Sequence, residues 1–496
     1  VIPWLTSIKD RKKLYGDDRF FNTKEEQECY IRDWVREMAG MPEEAAKQED
    51  GGIGIVFYDA AYYPKFGSIF ATGNICSFIH DLDVDADVAI LEEPEHLNWF
   101  NPCNWTETFA HVIGVIHTNY KSYASAQPFG TISSNFLQTL STFVVRAHCG
   151  KIINLSGTLP SVAPYKETIC NVHGIRSDFI ESVPNIPSDP HCKIYFIGKW
   201  LWEKGFDKLL DLQSLYKKQT GSFFEMDIYG SGPDEAEIKR AFHGRPKKSK
   251  QTSQSVTSSV ASSDESGDDE DNVMTQEEAV GSAPNRAKIA SIIEDLPKSR
   301  YELRRHAIPA RFRGRKDHAG LKGVYNIFVN CSISEVLCTT TAESIAMGNW
   351  VIIPFHPSND FFARFPSALM YRSKPEFVEM LQFSLKNDPP LLSDALSREL
   401  TWTAATERLI QAAAVTKRQA LRNERLGYTT ADYRSARFHT NFSEKKEGTA
   451  FRNMFLREEE EQEEEEDAKG HDKSRQTEGA PLRKSSFRMT KPTNHS

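Results

Sequence analysis

Two glutamates close together in the chain, Glu335 and Glu343, are the residues with the clearest chemical potential. They are the second and the last residue of the segment SEVLCTTTAE, which follows an apolar run and leads into a predicted helix. A helix start attracts a diphosphate through its free amides and its dipole. We therefore interpret Glu343 as a ligand of ribose hydroxyls, Glu335 as a residue facing a sugar, and Thr339 and Thr340 as neighbours of the phosphates. The alternative is a capping box, in which Thr340 and Glu343 only satisfy backbone amides.

Glycines and lysines follow two other predicted strands. Gly198, Lys199 and Lys204 occur in IGKWLWEKG, and Gly230 and Gly232 occur in YGSGPD. Glycine lets a ligand approach the backbone closely, and the lysines would bring positive charge to the place where a leaving diphosphate needs it. This pattern favours binding of a sugar-nucleotide donor by all five residues. The alternative needs no ligand: the lysines would be ordinary surface residues and the glycines would form a plain turn.

The remaining candidates are polar and aromatic side chains near other predicted strand ends. His318 belongs to the basic segment RGRKDH, which could line a base and phosphate pocket or be an ordinary basic loop. His117 ends a predicted strand in HTNY, where it could contact a transferred sugar or be structural. Glu93, His96 and Trp99 occur in LEEPEHLNW. Carboxylates beside an aromatic ring suit the hydroxyls and the face of a sugar, and the alternative is a solvated acidic loop.

Short apolar runs alternate with helical patterns along most of the chain, which predicts parallel sheets covered on both faces. The runs come in two series, so we predict an α/β protein with two Rossmann-like domains, 1–190 and 191–390. Ligands of such sheets bind beyond the carboxyl ends of the strands, which places a site in the cleft between the domains. The predicted strands are 1–5, 53–58, 87–91, 112–118, 151–155, 167–172, 193–198, 224–229, 326–329 and 350–354, and the predicted helices are 23–38, 135–148, 206–218, 234–242, 340–347 and 375–385.

Three segments fall outside this alternation. Residues 391–425 contain an amphipathic pattern, strongest over 393–414, that predicts one C-terminal helix. Residues 247–281 are rich in Ser and Thr and then acidic, and the tail 444–496 is acidic and then basic. Such segments bury too little apolar surface to offset their chain entropy, so both are predicted to be disordered.

The bulk properties narrow the possible functions. A formal net charge of −8 over 496 residues offers no general nucleic-acid surface. The eight cysteines form no CxxC pair and the histidines show no metal-ligand spacing, so we expect reduced thiols and no metal. No stretch approaches the ~18 apolar residues of a membrane span. The sequence opens at Val1 without a signal or transit peptide, and we interpret it as a fragment or a processed chain.

Taken together, these segments resemble the retaining GT-B glycosyltransferases of family 4. Their pattern is Gly-Arg/Lys and Lys-Gly, then Gly-x-Gly, then two glutamates at the spacing seen here. Within that group the chain is similar to the digalactosyldiacylglycerol synthases of plastids over about residues 1–415, interrupted by the 247–281 insertion. The matching segments are 1–5, 91–99 (LEEPEHLNW), 113–120 (IGVIHTNY), 170–174 (CNVHG), 195–205 (YFIGKWLWEKG), 314–319 (GRKDHA), 336–348 (VLCTTTAESIAMG) and 356–366 (HPSNDFFARFP).

The resemblance implies a GT-B fold and transfer of galactose from UDP-galactose to monogalactosyldiacylglycerol. The anomeric configuration would be retained, without a metal or other cofactor. It assigns roles to residues already named: diphosphate binding to Lys199 and Lys204, ribose binding to Glu343, orientation of the galactose hydroxyls to Glu335, contact with the donor sugar to His117, and acceptor contact to Glu93, His96 and Trp99.

The resemblance also implies a location. The protein would be peripheral to the plastid outer envelope and would face the cytosol. A basic group in the second domain could meet anionic lipid there. Its members are Arg304, Arg305, Arg311, Arg313 and Arg315.

Three features depart from the relatives' pattern. Glu335 stands where the plant-like relatives usually have Asp, the 247–281 insertion has no counterpart, and a Gly-rich strand-loop-helix ahead of the segment matching Val1–Leu5 is not found. Two other functions stay open. One is a family 4 enzyme with a different donor or acceptor, and the other is a catalytically inactive lipid-binding scaffold.

Overall fold

The fold is taken from a computed structural model of the chain. It describes residues 1–16, 20–38, 53–63, 68–80, 86–99, 103–120, 130–181, 193–244, 307–419, 421, 430–443 and 445. The predicted insertion at 247–281, and the predicted tail apart from Lys445, lie outside these residues.

The first domain alternates strands and helices as far as residue 181. Its strands are β1 (Ile2–Leu5), β2 (Phe57–Tyr63), β3 (Ser68–Ala71), β4 (Val88–Glu92), β5 (His111–Ile116), β6 (Lys151–Asn154) and β7 (Glu167–Ile169). Its helices are α1 (Ile8–Tyr15), α2 (Lys24–Met38), α3 (Ile75–His80), α4 (Pro94–Asn98), α5 (Trp105–Thr108), α6 (Gly130–His148) and α7 (Asp178–Glu181).

These strands form two sheets, whereas the prediction of one Rossmann-like domain implied a single sheet. Strands β4 to β7 form a parallel sheet in chain order. Strand β1 pairs parallel with β2, which pairs antiparallel with β3. No strand pairing joins β1 to β4 within the described residues, and an apolar cavity of about 520 Å³ lies between them, bordered by Tyr58, Val88 and Ile90. Both sheets still share one core, in which Leu5 belongs with Leu91.

The second domain contains six parallel strands in the order β10-β9-β8-β11-β12-β13. In this doubly wound order the first two crossovers run one way from the central strand and the rest run the other way, so the ligand crevice lies beyond the ends of β8 and β11. The strands are β8 (Ile194–Ile197), β9 (Met226–Tyr229), β10 (Ala310–Gly314), β11 (Ile327–Val329), β12 (Trp350–Pro354) and β13 (Ala368–Tyr371), and the helices are α8 (Phe206–Thr220), α9 (Glu235–His243), α10 (Thr339–Ala346) and α11 (Lys374–Lys386).

The predicted strands of this domain are confirmed at β8, β9, β11 and β12, because each has apolar side chains in a core on both faces of the sheet. Strand β10 was not predicted. It carries Arg311 and Arg313, whose charges led us to interpret the region as a basic loop. Both guanidinium groups instead pair with Asp227 on β9, over 2.6 and 3.2 Å. In the first domain, the strand predicted at 53–58 is found at Phe57–Tyr63.

Within the described residues, the helix predicted over 391–425 is instead two longer helices, with further helical residues at 417–419 and 421. Leu400 and Thr401 separate them: Leu400 is buried, and the Thr401 hydroxyl accepts a hydrogen bond from the Ala404 amide over 3.2 Å, which starts the second helix. The two helices are α12 (Asp394–Glu399) and α13 (Trp402–Ala413).

The chain then returns to the first domain. Helix α13 packs on β6, and helix α14 (Ala431–Ser443) packs on α6. Asp432 of α14 pairs with Arg146 and Lys166, over 3.1 and 3.0 Å. Nε2 of His148 lies 3.0 Å from Nδ1 of His439. Burial lowers the pKa of His148 to about 3 and that of His439 to about 4. The first domain is therefore completed by residues from the far end of the sequence.

Candidate active site

The carboxyl ends of the first-domain strands and the loop after β11 face a cavity of about 400 Å³. The loop between β11 and α10 supplies the second-domain wall, and the start of α13 supplies one further side chain. The bordering residues are Glu92, Val115, His117, Thr118, Asn119, Leu155, Val172, His173, Ser334, Glu335, Val336, Leu337, Thr339 and Trp402.

His117 follows β5 and lies between two carboxylates. Its Nε2 contacts Oε2 of Glu92, and its Nδ1 lies 2.8 Å from Oε1 of Glu93. The hydroxyl of Thr118 donates to the same Glu93 oxygen over 2.6 Å. Each ring nitrogen therefore has an acceptor, which is the arrangement that suits a doubly protonated imidazolium.

The backbone of Glu93 explains how two consecutive glutamates reach one imidazole. Neighbouring side chains on a strand normally point to opposite faces. Glu93 has φ 59° and ψ 60°, and within the described part of the chain it is the one non-glycine residue with positive φ. This left-handed turn brings its carboxylate to the same imidazole as that of Glu92, at a cost of about 1–3 kcal/mol. Strain of this kind concentrates at functional sites.

The electrostatics of this group make His117 a cation. Burial opposes the charge, but hydrogen bonds to Glu92 and Glu93 outweigh it and raise the pKa of His117 to about 10. Burial likewise opposes the charge of Glu93, whose pKa is nevertheless lowered by hydrogen bonds from His117, Thr118 and Tyr120. At neutral pH His117 can therefore donate hydrogen bonds and stabilise negative charge, but it cannot accept a proton.

On the opposite wall Glu335 pairs with Lys204, which does not itself border the cavity. Lys204 Nζ lies 2.7 Å from Glu335 Oε1, and each side chain is 19% exposed. The next residue, Gly205, has φ 83°, and a Cβ atom there would lie 2.6 Å from the carbonyl carbon of Cys331. Only glycine lets this turn pack so closely against the segment after β11, and that packing brings Lys204 to Glu335.

Glu343 of α10 is held by His318, which lies deeper in the domain. His318 Nδ1 lies 2.6 Å from Glu343 Oε2, and its Nε2 faces the hydroxyl of Tyr195 at 2.9 Å. The His318 side chain is 6% exposed and does not border the cavity. The structure therefore places His318 behind Glu343, where it orients the carboxylate, and its direct contact with a donor stays a prediction.

The start of α10 contradicts the capping-box alternative. The helix begins at Thr339 after Cys338, so Thr340 is inside the helix rather than at its cap. The Thr340 hydroxyl lies 3.1 Å from the sulfur of Cys338, and the carboxylate of Glu343 bonds to His318. Thr339 borders the cavity, so the positive end of the helix dipole lies there.

The other predicted donor residues lie in the turns after β8 and β9, outside the cavity wall. Lys199 is exposed. A Cβ atom on Gly230 would lie 1.9 Å from the carbonyl oxygen of Gly198, and one on Gly232 would lie 2.3 Å from that of Trp200. These glycines let the two turns pack together, which is a structural reason for their presence. Their contact with a donor stays a prediction.

The predicted acceptor residues form a layer behind the cavity wall. Glu93 reaches the cavity only through His117. The ring of His96 packs against Phe70 with centroids 4.4 Å apart, and Trp99 packs against Tyr120 at 4.6 Å. None of the three predicted residues borders the cavity. Direct contact with an acceptor therefore stays a prediction for them.

Glu95 is the most buried acid of this layer, with 4% of its surface exposed. Burial, followed by the charge of Glu93, raises the pKa of Glu95 to about 8. Its Oε2 atom has no hydrogen-bond partner within the described residues. A carboxyl group in this position is protonated at neutral pH.

Eleven of the fourteen bordering residues were absent from the predicted site, and four of these have large polar or aromatic side chains: Glu92, Asn119, His173 and Trp402. Glu92, Asn119 and His173 occur in segments that carried the family resemblance, so their strand-end positions were a usable signal. Trp402 had no such signal, because only the return of the C-terminal chain brings it to the segment that contains His173.

The described residues contain no group of three or more His, Cys, Asp or Glu side chains able to hold a metal ion. Among the helices that the structure describes, none combines the length and apolar character needed to cross a bilayer.

Parallel α/β domains whose strand ends face one cleft place the protein in the GT-B fold class. The chain is 33% identical over 426 residues to digalactosyldiacylglycerol synthase 2, chloroplastic, of Lotus japonicus, covering 84% of this chain and 76% of that one. It is 32% identical over 455 residues to the synthase 2 of Glycine max, covering 90% and 81%. The chain therefore belongs to the digalactosyldiacylglycerol synthase family.

Longer relatives match a smaller share of their own length. Digalactosyldiacylglycerol synthase 1, chloroplastic, of Arabidopsis thaliana is 32% identical over 420 residues, which cover 83% of this chain and 43% of that one. The chain thus spans less than half of the synthase 1 relatives it matches. No protein-family model matches the sequence.

Proposed function

We propose that this chain transfers galactose from UDP-galactose to monogalactosyldiacylglycerol, with retention of configuration, to form digalactosyldiacylglycerol. One observation carries the proposal: His117 of the first domain and Glu335 of the second border the same cavity. A reaction that joins a nucleotide-bound sugar to a second molecule needs groups from both sides of one cleft. Membership of the family supports the choice of donor and acceptor.

The second-domain wall would hold the donor. Lys204 and the start of α10 would face the diphosphate, supplying the positive charge in place of a metal ion. Glu343, oriented by His318, would accept hydrogen bonds from the ribose. Glu335 would accept hydrogen bonds from galactose hydroxyls while it remains paired with Lys204.

The first-domain wall would act on the sugar as the donor bond breaks. That bond joins the anomeric carbon to a diphosphate oxygen, and its electron pair leaves with UDP. The acceptor hydroxyl forms the new bond to the same carbon and gives its proton to the diphosphate oxygen that leaves with UDP. Because His117 is a cation, its role is to donate a hydrogen bond to the sugar or to developing negative charge, and not to remove that proton. Glu92, with 62% of its side chain exposed, is free to exchange His117 for a sugar hydroxyl.

The acceptor is a membrane lipid, so the proposal includes peripheral contact with the plastid outer envelope from its cytosolic side. The relatives are named chloroplastic, which supports the plastid part of this proposal. The structure leaves less of the arginine group for lipid than we expected, because Arg311 and Arg313 pair with Asp227. Arg304 and Arg305 lie outside the described residues.

The test is turnover of radiolabelled UDP-galactose with monogalactosyldiacylglycerol in mixed micelles. We expect a digalactosyl lipid with an α-linked outer sugar, identified by chromatography and proton NMR, and undiminished formation in the presence of EDTA. Transfer only from another sugar nucleotide, or only to another acceptor, would contradict the proposal in favour of a different family 4 enzyme. Absence of any transfer, with lipid binding intact, would favour the scaffold alternative.

A further inference from the structure

Trp402 borders the cavity with 47% of its surface exposed. Single exposed aromatic residues are common on protein surfaces, and Trp34 is exposed to the same extent on α2. What distinguishes Trp402 is its setting, because the hydrogen-bonding side chains of Glu92, His117 and Asn119 border the same cavity. An indole ring therefore borders the same open cavity as groups that bind hydroxyls.

The backbone on either side holds Trp402 in a fixed position. The amide of Ile175 donates to the carbonyl oxygen of Leu400 over 2.9 Å, and Ile175 also pairs with Thr401 as a parallel bridge. A Cβ atom on Gly174 would lie 2.5 Å from the Cα of Trp402, so the two backbones touch here. The indole also packs against the ring of His173, with centroids 4.7 Å apart. The ring is thus placed before any ligand arrives, which reduces the entropy cost of binding.

This combination of groups matches a hexopyranose. A galactose ring has hydroxyls around its edge and a patch of C–H groups on one face. An aromatic ring covers such a patch, while carboxylates and amides take the hydroxyls. An acyl chain offers no hydrogen-bonding group to the exposed carboxylate of Glu92 or to Asn119, and it would displace the water around these polar groups, which is costly. The cavity therefore suits a sugar ring better than a lipid tail.

We infer that the galactose ring of the acceptor stacks on Trp402. The inference rests on the proposed function and adds the residue that selects a galactosyl head group. In that proposal the donor is held from the second-domain wall, by Lys204 and Glu335. Trp402 packs on His173 of the opposite wall, so the space beside the indole is left for the acceptor. The C-terminal return of the chain thus contributes to substrate choice as well as to folding.

Kinetics of three variants test this role. Trp402→Ala should raise the KM for monogalactosyldiacylglycerol about tenfold, equivalent to about 1.4 kcal/mol, and leave the KM for UDP-galactose unchanged. Trp402→Phe should restore most of the loss, because it keeps an aromatic face. Trp34→Ala, which removes an equally exposed indole, should match the wild type. Equal changes in both KM values, or none, would overturn the inference.

A binding experiment separates this inference from the proposed function. Methyl β-D-galactopyranoside should change the tryptophan fluorescence of the wild type saturably, and the same change should appear in Trp34→Phe but vanish in Trp402→Phe. A response that persists in Trp402→Phe would rule out the stacking site. If the wild type shows this response but transfers no galactose, the proposed function fails and the sugar site stands. Thermal melting of each variant shows whether it is folded.

Discussion

Each domain contributes a histidine bonded to glutamate near the cleft, and the two groups differ in exposure and in what they can do. His117 has 36% of its side chain exposed and lies between Glu92 and Glu93. His318 has 6% exposed and bonds one carboxylate, that of Glu343. The first group is open, charged and able to exchange partners with a substrate. The second is enclosed and can only orient its glutamate. The same residue types therefore have different expected roles: His117 can contact the substrate, whereas His318 only positions Glu343.

The largest loss of activity should follow a change to Glu335, the second-domain glutamate that borders the cavity. Within the described residues no enclosed histidine is bonded to Glu335 in the way that His318 is bonded to Glu343. Glu335→Gln keeps the size of the side chain but removes the charge that faces Lys204 and the donor sugar. We expect kcat to fall about 100-fold, the scale on which a positioned polar group contributes to a transition state. Calorimetry should show that UDP still binds.

Glu203→Gln is the matched control for that variant, because Glu203 is exposed and immediately precedes Lys204. Its kcat should equal that of the wild type. A wild-type kcat in Glu335→Gln would mean that the Lys204–Glu335 pair has only a structural role.

The next loss tests whether the open group depends on its strained glutamate. Glu93→Gln removes a charged hydrogen bond to His117, and such bonds contribute about 1.5–3 kcal/mol. We expect kcat near neutral pH to fall about tenfold. The pKa of His117 is raised to about 10 in the wild type, so its charge is present below that pH and lost above it. In Glu93→Gln that pKa falls, and activity should disappear at a lower pH.

The measurement is a pH–rate profile of both enzymes and of Glu92→Gln. Glu92 is far more exposed than Glu93, so its substitution should move the alkaline limb less. Identical alkaline limbs in the wild type and Glu93→Gln would show that the charge of His117 does not matter for the reaction.

The enclosed group should affect substrate binding more than chemistry. His318→Ala removes the hydrogen bond that orients Glu343 and leaves the hydroxyl of Tyr195 without its imidazole partner. We expect an increase of about tenfold in the KM for UDP-galactose, from the loss of a hydrogen bond to a charged group, with little change in kcat. His318→Asn, whose amide can reach the same carboxylate, should recover part of the affinity. A fall in kcat with unchanged KM would place His318 in the chemistry instead.

The fold could be predicted from the sequence where burial is uniform. Strands such as β8 and β12 are continuous apolar runs because both faces of the sheet are covered. Strand β10 escaped prediction because its arginines pair with a buried aspartate on a neighbouring strand, and sequence alone does not show such a partner. The break at Leu400 also depended on a distant contact, the bridge between Ile175 and Thr401.

The site could be predicted only as far as its strand ends. His117 and Glu335 follow strands in segments of recognisable pattern, and both border the cavity. The depth of each residue was not predictable: His318, which was predicted to bind the donor, lies behind Glu343 with 6% of its side chain exposed. Trp402 reaches the cavity only because the C-terminal chain returns to the first domain, and no local sequence pattern predicted that return. Local sequence patterns thus predicted which segments form the site, while long-range packing determines which of their side chains border the cavity.

The smallest effect on activity, and a clear effect on stability, should come from the carboxyl group behind the open histidine. Burial raises the pKa of Glu95 to about 8, above the ordinary value of 4.5 that it regains on unfolding. The folded state therefore holds this proton more tightly, and stability falls as pH rises from about 4.5 to about 8. Glu95→Gln resembles the protonated acid and should remove that fall. Its urea midpoint should match the wild type near pH 4.5 and exceed it at pH 8.5, with kcat unchanged. A variant less stable than the wild type at pH 8.5 would show instead that Glu95 is ionised and has a partner, and the cation on His117 would then be balanced by three carboxylates rather than two.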